Sequence, residues 1–275
     1  MEGLGARKKF GQNFLINPAA RQALVDALGG DISAGEEVWE IGPGLGAMTS
    51  SLLQKGLAVR AFEIDPGFIR ALKKIFDGQE NLSLVEGDVM KTLPCLFQSS
   101  GQNQARFLLG NLPYNIAAAL IANLIERGCL FTRMVITVQK EVALRMAARS
   151  GSRDYSSFSV LCASAYNVKP LMTIHPASFY PRPNVDSMGV LFEKKTPGNY
   201  PAVFYPLVRA LFASRRKTIR NNLAGLAASK KTLDAVLGEN GLSGDERAEN
   251  LDLEVFLSLA KSMENMRIYD GDVSS

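Results

Sequence analysis

Glu40-Ile41-Gly42-Pro43-Gly44-Leu45-Gly46 is the stretch whose reading decides the fold. It follows the apolar pair Val38-Trp39 and leads into Ala47-Met48-Thr49-Ser50-Ser51-Leu52-Leu53, a pattern that runs on to Gly56. The order is strand, glycine turn, helix. Glycine is the residue that takes a positive φ or lets a backbone touch a ligand without steric cost. Dinucleotide-binding turns space their glycines as G-x-G-x-x-G. Here the glycines fall at the alternate positions 42, 44 and 46, directly behind an acid. A tight turn with no ligand could use the same residues, so the neighbouring strands have to decide.

Working outward, Leu57 to Asp65 reads as a second strand, and Asp65-Pro66 starts a helix that ends near Gly78. Glu63 lies at the end of that strand, 17 residues after Gly46. In nucleotide-binding βαβ units an acid about 20 residues beyond the glycines takes hydrogen bonds from a ribose. Leu82 to Val89 reads as a third strand with Asp88 just past its end, where a carboxylate can accept from an adenine amino group. Ligands in open α/β sheets bind at the carboxyl ends of the strands. Three successive strand ends thus carry Glu40 with its glycines, Glu63 and Asp88. An acid followed by alternate glycines is similar to the first motif of methyltransferases that use S-adenosylmethionine (SAM), whose adenosyl group carries such a ribose.

A fourth strand, Phe107 to Gly110, runs straight into Asn111-Leu112-Pro113-Tyr114. These residue types suit methyl transfer to an adenine N6. The lone pair of that amine is delocalised into the ring, so the nitrogen is a poor nucleophile. Two acceptors on its hydrogens favour the pyramidal form needed for attack. The Asn111 side chain and the Leu112 backbone carbonyl next to Pro113 supply them, and the Tyr114 ring can stack on a base taken out of its helix. Catalysis of this kind is mostly positioning and hydrogen bonding that strengthens in the transition state. The bland alternative is a proline turn after a strand.

The pattern continues with a helix over Ala117 to Arg127, a strand over Met134 to Val138 and helices over Lys140 to Arg149 and Ser156 to Ala165. Val168 to Ile174 reads as extended, Pro176 to Pro183 as a proline-rich loop, and Val185 to Phe192 as a last strand. Alternating strands and helices predict a mostly parallel sheet. Upstream, Arg7 to Leu15 is a polar and aromatic lead-in suited to a flap over a ligand, and Asn17-Pro18 caps a helix running to Gly29-Gly30. Beyond a linker at Lys195 to Asn199 only helical patterns remain: Ala202 to Ala213, Thr218 to Ala228, Thr232 to Leu237 and Leu253 to Met263. The expected division is therefore 1–195 for a catalytic domain and 196–275 for a helical domain, with a disordered tail from Asp270.

The chain has 275 residues, 47% hydrophobic and 21% charged, which fits a globular protein. No apolar run approaches the roughly 20 residues of a membrane helix, and the basic N-terminus lacks the apolar region of a signal peptide. A cytoplasmic protein is expected. The three cysteines lack metal or disulfide spacing and the lone His175 has no histidine partner, so no metal and no Ser-His chemistry are expected. The net charge is +4, yet from Lys194 to Leu233 there are nine basic residues and no acid. Within it Arg215, Arg216, Lys217 and Arg220 suit phosphates, the plain alternative being a solvated helix face.

Taken together the chain resembles, nearly end to end, the KsgA family of small-subunit rRNA adenine dimethyltransferases. The likeness is carried by Gly11-Gln12-Asn13-Phe14-Leu15, the glycine stretch, Glu63-Ile64-Asp65, Gly87-Asp88-Val89, Asn111-Leu112-Pro113-Tyr114-Asn115-Ile116, Gln139-Lys140-Glu141-Val142-Ala143, Phe179-Tyr180-Pro181-Arg182-Pro183-Asn184-Val185-Asp186-Ser187 and Arg215-Arg216-Lys217-Thr218. The resemblance implies a Rossmann-like SAM-dependent methyltransferase sheet with helices on both faces and a small all-α C-terminal domain that binds RNA. It implies dimethylation of two adjacent adenosines in the 3′-terminal stem-loop of 16S rRNA by a monomer acting on the small ribosomal subunit. It also implies SAM contacts from Asn13, Leu15, Gly42, Gly44, Glu63, Asp88, Val89 and Asn111, and a base sandwiched between Tyr114 and Phe179. Ala117-Ala118-Ala119 departs from the polar run common in the family at this point, and Asn184 stands where lysine is common. Two other readings compete: a large-subunit adenine methyltransferase, and a non-catalytic assembly factor that keeps the fold.

Overall fold

The computed structural model describes residues 13–29, 32–99, 107–196, 198, 200–226 and 229–265. The tail from Asp270 and the lead-in before Asn13 lie outside them. The chain forms two compact units: residues 1–144 with 166–194, and residues 145–165 with 195–275. The cut expected at residue 195 is where the chain leaves the first unit for the last time. Residues 145–165 are an earlier excursion into the second.

The first unit is a seven-stranded sheet in the order β4 (Leu82–Glu86), β3 (Ala58–Glu63), β2 (Glu37–Ile41), β5 (Phe107–Asn111), β6 (Arg133–Gln139), β9 (Ser187–Lys194), β7 (Tyr166–Ile174). Neighbouring strands from β4 to β6 pair in parallel, and β9 is antiparallel to both β6 and β7. Strands covered on both faces read as apolar runs, and Phe107 to Gly110 is buried throughout. Val38 packs with Leu24 of α1 (Pro18–Ala27), with Leu28 just past its end and with Leu52 of α2 (Ala47–Gln54). The next residue, Trp39, faces the other way and meets Phe62, Phe131 and Phe97 of α4 (Val89–Ser99). That alternation, period two along a strand, is what puts helices on both faces. Pro170 sits in the edge strand β7 beside a register shift, where a missing N–H disturbs the ladder least.

The helix starts follow the capping chemistry. Asn17 accepts from the Ala20 N–H ahead of Pro18, and Asp65 accepts from the Gly67 N–H ahead of α3 (Pro66–Ile75). Two elements escape the sequence reading. Helix α4 contains Pro94, normally a breaker, and is started by a cap in which Asp88 Oδ1 accepts from the Met90 N–H. A two-stranded ribbon pairs β1 (Phe14–Leu15) with β8 (Phe179–Tyr180) inside the supposed proline loop. Strands two residues long leave no periodicity to detect.

The second unit packs α7 (Ser157–Ala165), α8 (Phe204–Leu211), α9 (Ile219–Leu223), α10 (Lys230–Glu239) and α11 (Leu253–Asn265) around Phe204, Leu207, Leu211, Leu237, Phe256 and Leu259. Helix α9 is shorter than its pattern suggested, with Thr218 as its cap. Helix α10 is longer, starting from a Ser229 cap. Among the described residues no helix is long and apolar enough to cross a membrane.

Candidate active site

The strand order runs from β2 through β3 to one edge and from β5 through β6 to the other. The sheet therefore reverses between β2 and β5, and the crevice outside such a switch point is where open α/β sheets hold ligands. A cavity of about 240 Å³ lies there. Of the residues expected from sequence, Asn13, Gly42, Gly44, Glu63, Asp88, Val89, Asn111, Leu112, Pro113 and Tyr114 line it.

One wall is built from the ends of β2, β3 and β4. Gly42 and Gly44 have φ of +68° and +58°, and Phe14 lies so close that a Cβ on Gly44 would meet its ring at 2.9 Å. Phe14 in turn sits edge-on to Phe68, centroids 5.3 Å apart. The Glu63 carboxylate accepts from the Ile64 and Asp65 amides at 2.9 Å each. Burial raises its pKa, and these two amides, with that of Gly44, oppose the shift without cancelling it. A carboxylate has about four lone-pair sites, so at least one remains for a ligand hydroxyl. Asp88 uses one oxygen to cap α4. The other has no partner among the described residues.

Asn111 to Tyr114 form the opposite wall. Asn111 ends β5, and its Nδ2 donates to the Asn13 carbonyl at 2.6 Å. That bond fixes which way the amide faces and leaves Oδ1 as a free acceptor. The Leu112 N–H donates to the Thr137 carbonyl at 3.1 Å, so the peptide is held while its own carbonyl takes no bond among the described residues. The Tyr114 hydroxyl meets Ser187 Oγ at 2.5 Å, and burial raises the phenol pKa.

Two expected residues are not brought into the cavity. Leu15 is buried in the core and lines an adjoining recess with Arg21, Pro43 and Met48. Phe179, expected to sandwich a base with Tyr114, is only 3% exposed and packs in the cluster of Leu15, Met48 and Ile174. Pairing with β1 opposite Leu15 turns Phe179 inward and its neighbour Tyr180 outward, 67% exposed. Sequence reasoning gave no site role to Ile64, Met90 and Ile116, which add to the apolar lining of the cavity. Ile64 leaves a signal, an apolar residue between two acids that stays 40% exposed.

Beneath the glycine loop Glu40 is wholly buried. Thr49 Oγ1 donates to its Oε2 at 2.6 Å, and Oε1 has no hydrogen-bond partner among the described residues. Burial, aided by the Glu63 charge, pushes its pKa up to about 7 against the bond from Thr49.

The basic stretch divides in two. Arg215 holds Glu249 through Nε and Nη2 and also the Arg153 carbonyl. Arg220 pairs with Asp234 and donates to the Ser243 carbonyl at 2.6 Å. Arg216 and Lys217 are exposed and have no partner among the described residues.

Residues 3–265 match the family described as ribosomal RNA adenine dimethylase. The chain is 48% identical to ribosomal RNA small subunit methyltransferase A of Treponema denticola, over 94% of this chain and 89% of that one. It is 40% identical to the protein of the same name in Borreliella burgdorferi, with the same shares covered. Among solved structures it resembles a dimethyladenosine transferase from Plasmodium falciparum, with TM-score 0.77, 28% identity and coverage of 92% of this chain and 98% of that one. The 23S rRNA methyltransferase ErmE, at 19% identity and TM-score 0.67 over 92% of this chain and all of the other, shares the fold.

Proposed function

The chain belongs to the ribosomal RNA adenine dimethylase family, and on that footing we propose that it dimethylates N6 of two adjacent adenosines near the 3′ end of small-subunit rRNA. It is a SAM-dependent rRNA adenine methyltransferase with the doubly covered sheet of that enzyme class. The observation that supports the finer reading most is the Asn111–Tyr114 wall, which faces Glu63 and Asp88 across one cavity at the switch point.

The residues fit the donor. Glu63 takes a ribose hydroxyl, Asp88 the adenine amino group, and Ile64 and Met90 the adenine faces. Gly42 and Gly44 let the backbone approach because a side chain at 44 would strike Phe14. When bound, SAM supplies a methyl carbon made electrophilic by its sulfonium. The chain's own groups then hold the acceptor amine. Asn111 Oδ1 and the Leu112 carbonyl accept its two hydrogens, and both are preset by Asn13 and Thr137. Such preorganised groups act without reorganising at the moment of reaction. Tyr114 stacks on the extruded base. No side chain of shifted pKa is needed as a base, because the protonated product amine is acidic enough to release its proton to water. In the second unit Arg216 and Lys217 contact rRNA phosphates, which fix register rather than read sequence.

Transfer of tritium from labelled SAM to undermethylated small and large subunits tests this reading. Label in the small subunit, mapping to adjacent dimethyladenosines, is the expected result. Label confined to large subunits would replace it with the large-subunit reading. No transfer to either would leave the non-catalytic assembly factor.

A further inference from the structure

We infer that Ser187 is a positioning residue for the reaction: its hydroxyl fixes the Tyr114 ring in the orientation that receives the target base. The inference rests on the reading of Tyr114 as the stacking residue. Strand β9 runs antiparallel to both of its neighbours, β6 and β7. Its first residue therefore arrives at the edge where β5 and β6 end, which is the edge that carries the cavity. That first residue is Ser187, paired with Gln139 of β6 on one side and Ile174 of β7 on the other. It is wholly buried, so its Oγ cannot wander. The 2.5 Å contact to the Tyr114 hydroxyl joins a rigid sheet position to a residue that lies beyond the end of β5. Tyr114 itself is only half-buried, and the turn that carries it is tied down at Pro113 by the Ile116 and Ala117 amides. The backbone is thus set from one end and the ring from the other. Without Ser187 the phenol is tethered only at Cβ, free to rotate about two torsions. With Phe179 turned into the core, the base is held square to the donor without a ring from β8. The orientation of the Tyr114 ring carries that burden.

The test is steady-state methylation of small subunits by Ser187→Ala, Tyr114→Phe, the double variant and Tyr114→Ala, with SAM affinity measured by calorimetry. Ser187→Ala and Tyr114→Phe are expected to lower kcat each by about tenfold, the scale of one neutral hydrogen bond. SAM affinity and the KM for subunits should stay near wild type. The double variant should be no slower than either single one, because both remove the same bond. Wild-type kcat in Ser187→Ala, or losses that multiply in the double variant, would overturn the proposal. If Tyr114→Ala is as active as wild type, the stacking reading fails and takes this inference with it. If Tyr114→Ala is impaired and Tyr114→Phe is not, only the positioning role fails. Should Ser187→Ala not fold, Tyr114→Phe cuts the bond from the other end with the buried serine in place, and its kcat decides.

Discussion

The cavity wall at Asn111–Tyr114 and the basic segment at Arg215–Arg220 are both short polar motifs, and they behave differently. In the wall each group has one fixed internal partner and one free valence. Asn111 gives Nδ2 to Asn13 and keeps Oδ1, and Leu112 gives its N–H to Thr137 and keeps its carbonyl. In the segment whole residues are assigned to one role or the other. Arg215 and Arg220 are bound to Glu249 and Asp234, while Arg216 and Lys217 face solvent. The cause is burial. A desolvated group must be satisfied and is therefore oriented, so its remaining valence points somewhere definite. An exposed cation is satisfied by water and can be recruited to a nearby carboxylate or left alone at little cost. Single substitutions should accordingly be sharp in the cavity and graded in the segment.

The largest effect is expected at Asn111. Asn111→Ala should fold and bind subunits, with turnover at saturating SAM lower by about 10²–10³, as for other groups that bond only in the transition state. Wild-type turnover would break the comparison at its strongest point.

Glu40 comes next. Its folded pKa of about 7 stands above the ordinary 4.5. Between those values the folded chain holds a proton that the unfolded chain has released. Its contribution to stability is therefore greatest below the lower value and is lost as pH rises through about 7. Glu40→Gln cannot ionise, so the loss of apoprotein stability from about pH 5 to about pH 8 should shrink by up to roughly 3 kcal/mol. Denaturant titrations at the two pH values check this, and an unchanged difference would assign the pH dependence to another group.

Removing Glu63 should weaken SAM binding by roughly 1.5–3 kcal/mol, the worth of a hydrogen bond to a charged group. Calorimetry on a folded Glu63→Ala protein that shows unaltered affinity would remove Glu63 from the donor site.

The segment should give the smallest changes, and they should be of two kinds. Arg216→Gln with Lys217→Gln should flatten the slope of log affinity for subunits against log salt by about 1.5, two phosphate contacts at ~0.7–0.9 each. Arg215→Gln or Arg220→Gln should instead lower stability by no more than ~1 kcal/mol each, the range of exposed pairs. If all four change the salt slope alike, the internal pairs open on binding and the contrast between the two regions is blunted.

Much of this was legible in the chain. Alternating apolar segments, the glycines at 42, 44 and 46 and the acids at successive strand ends determine the sheet, its parallel core and the place of the cavity. They do so because strand period, turn conformation and helix caps are local properties carried by a few adjacent residues. The identities of Asn111, Leu112, Pro113 and Tyr114 state the chemistry for the same reason. What the tertiary structure decided depends on partners far away in sequence. Phe179 turns inward because it pairs with Leu15, 164 residues earlier. The Asn111 amide is oriented by Asn13, 98 residues away, and Tyr114 meets Ser187 across 73. Arg215 is bound by a glutamate 34 residues on. A sequence shows which groups can donate, accept or stack. Only the packed chain settles which of those valences are already filled, because burial penalises an unpartnered polar group and the fold determines which partner is within reach.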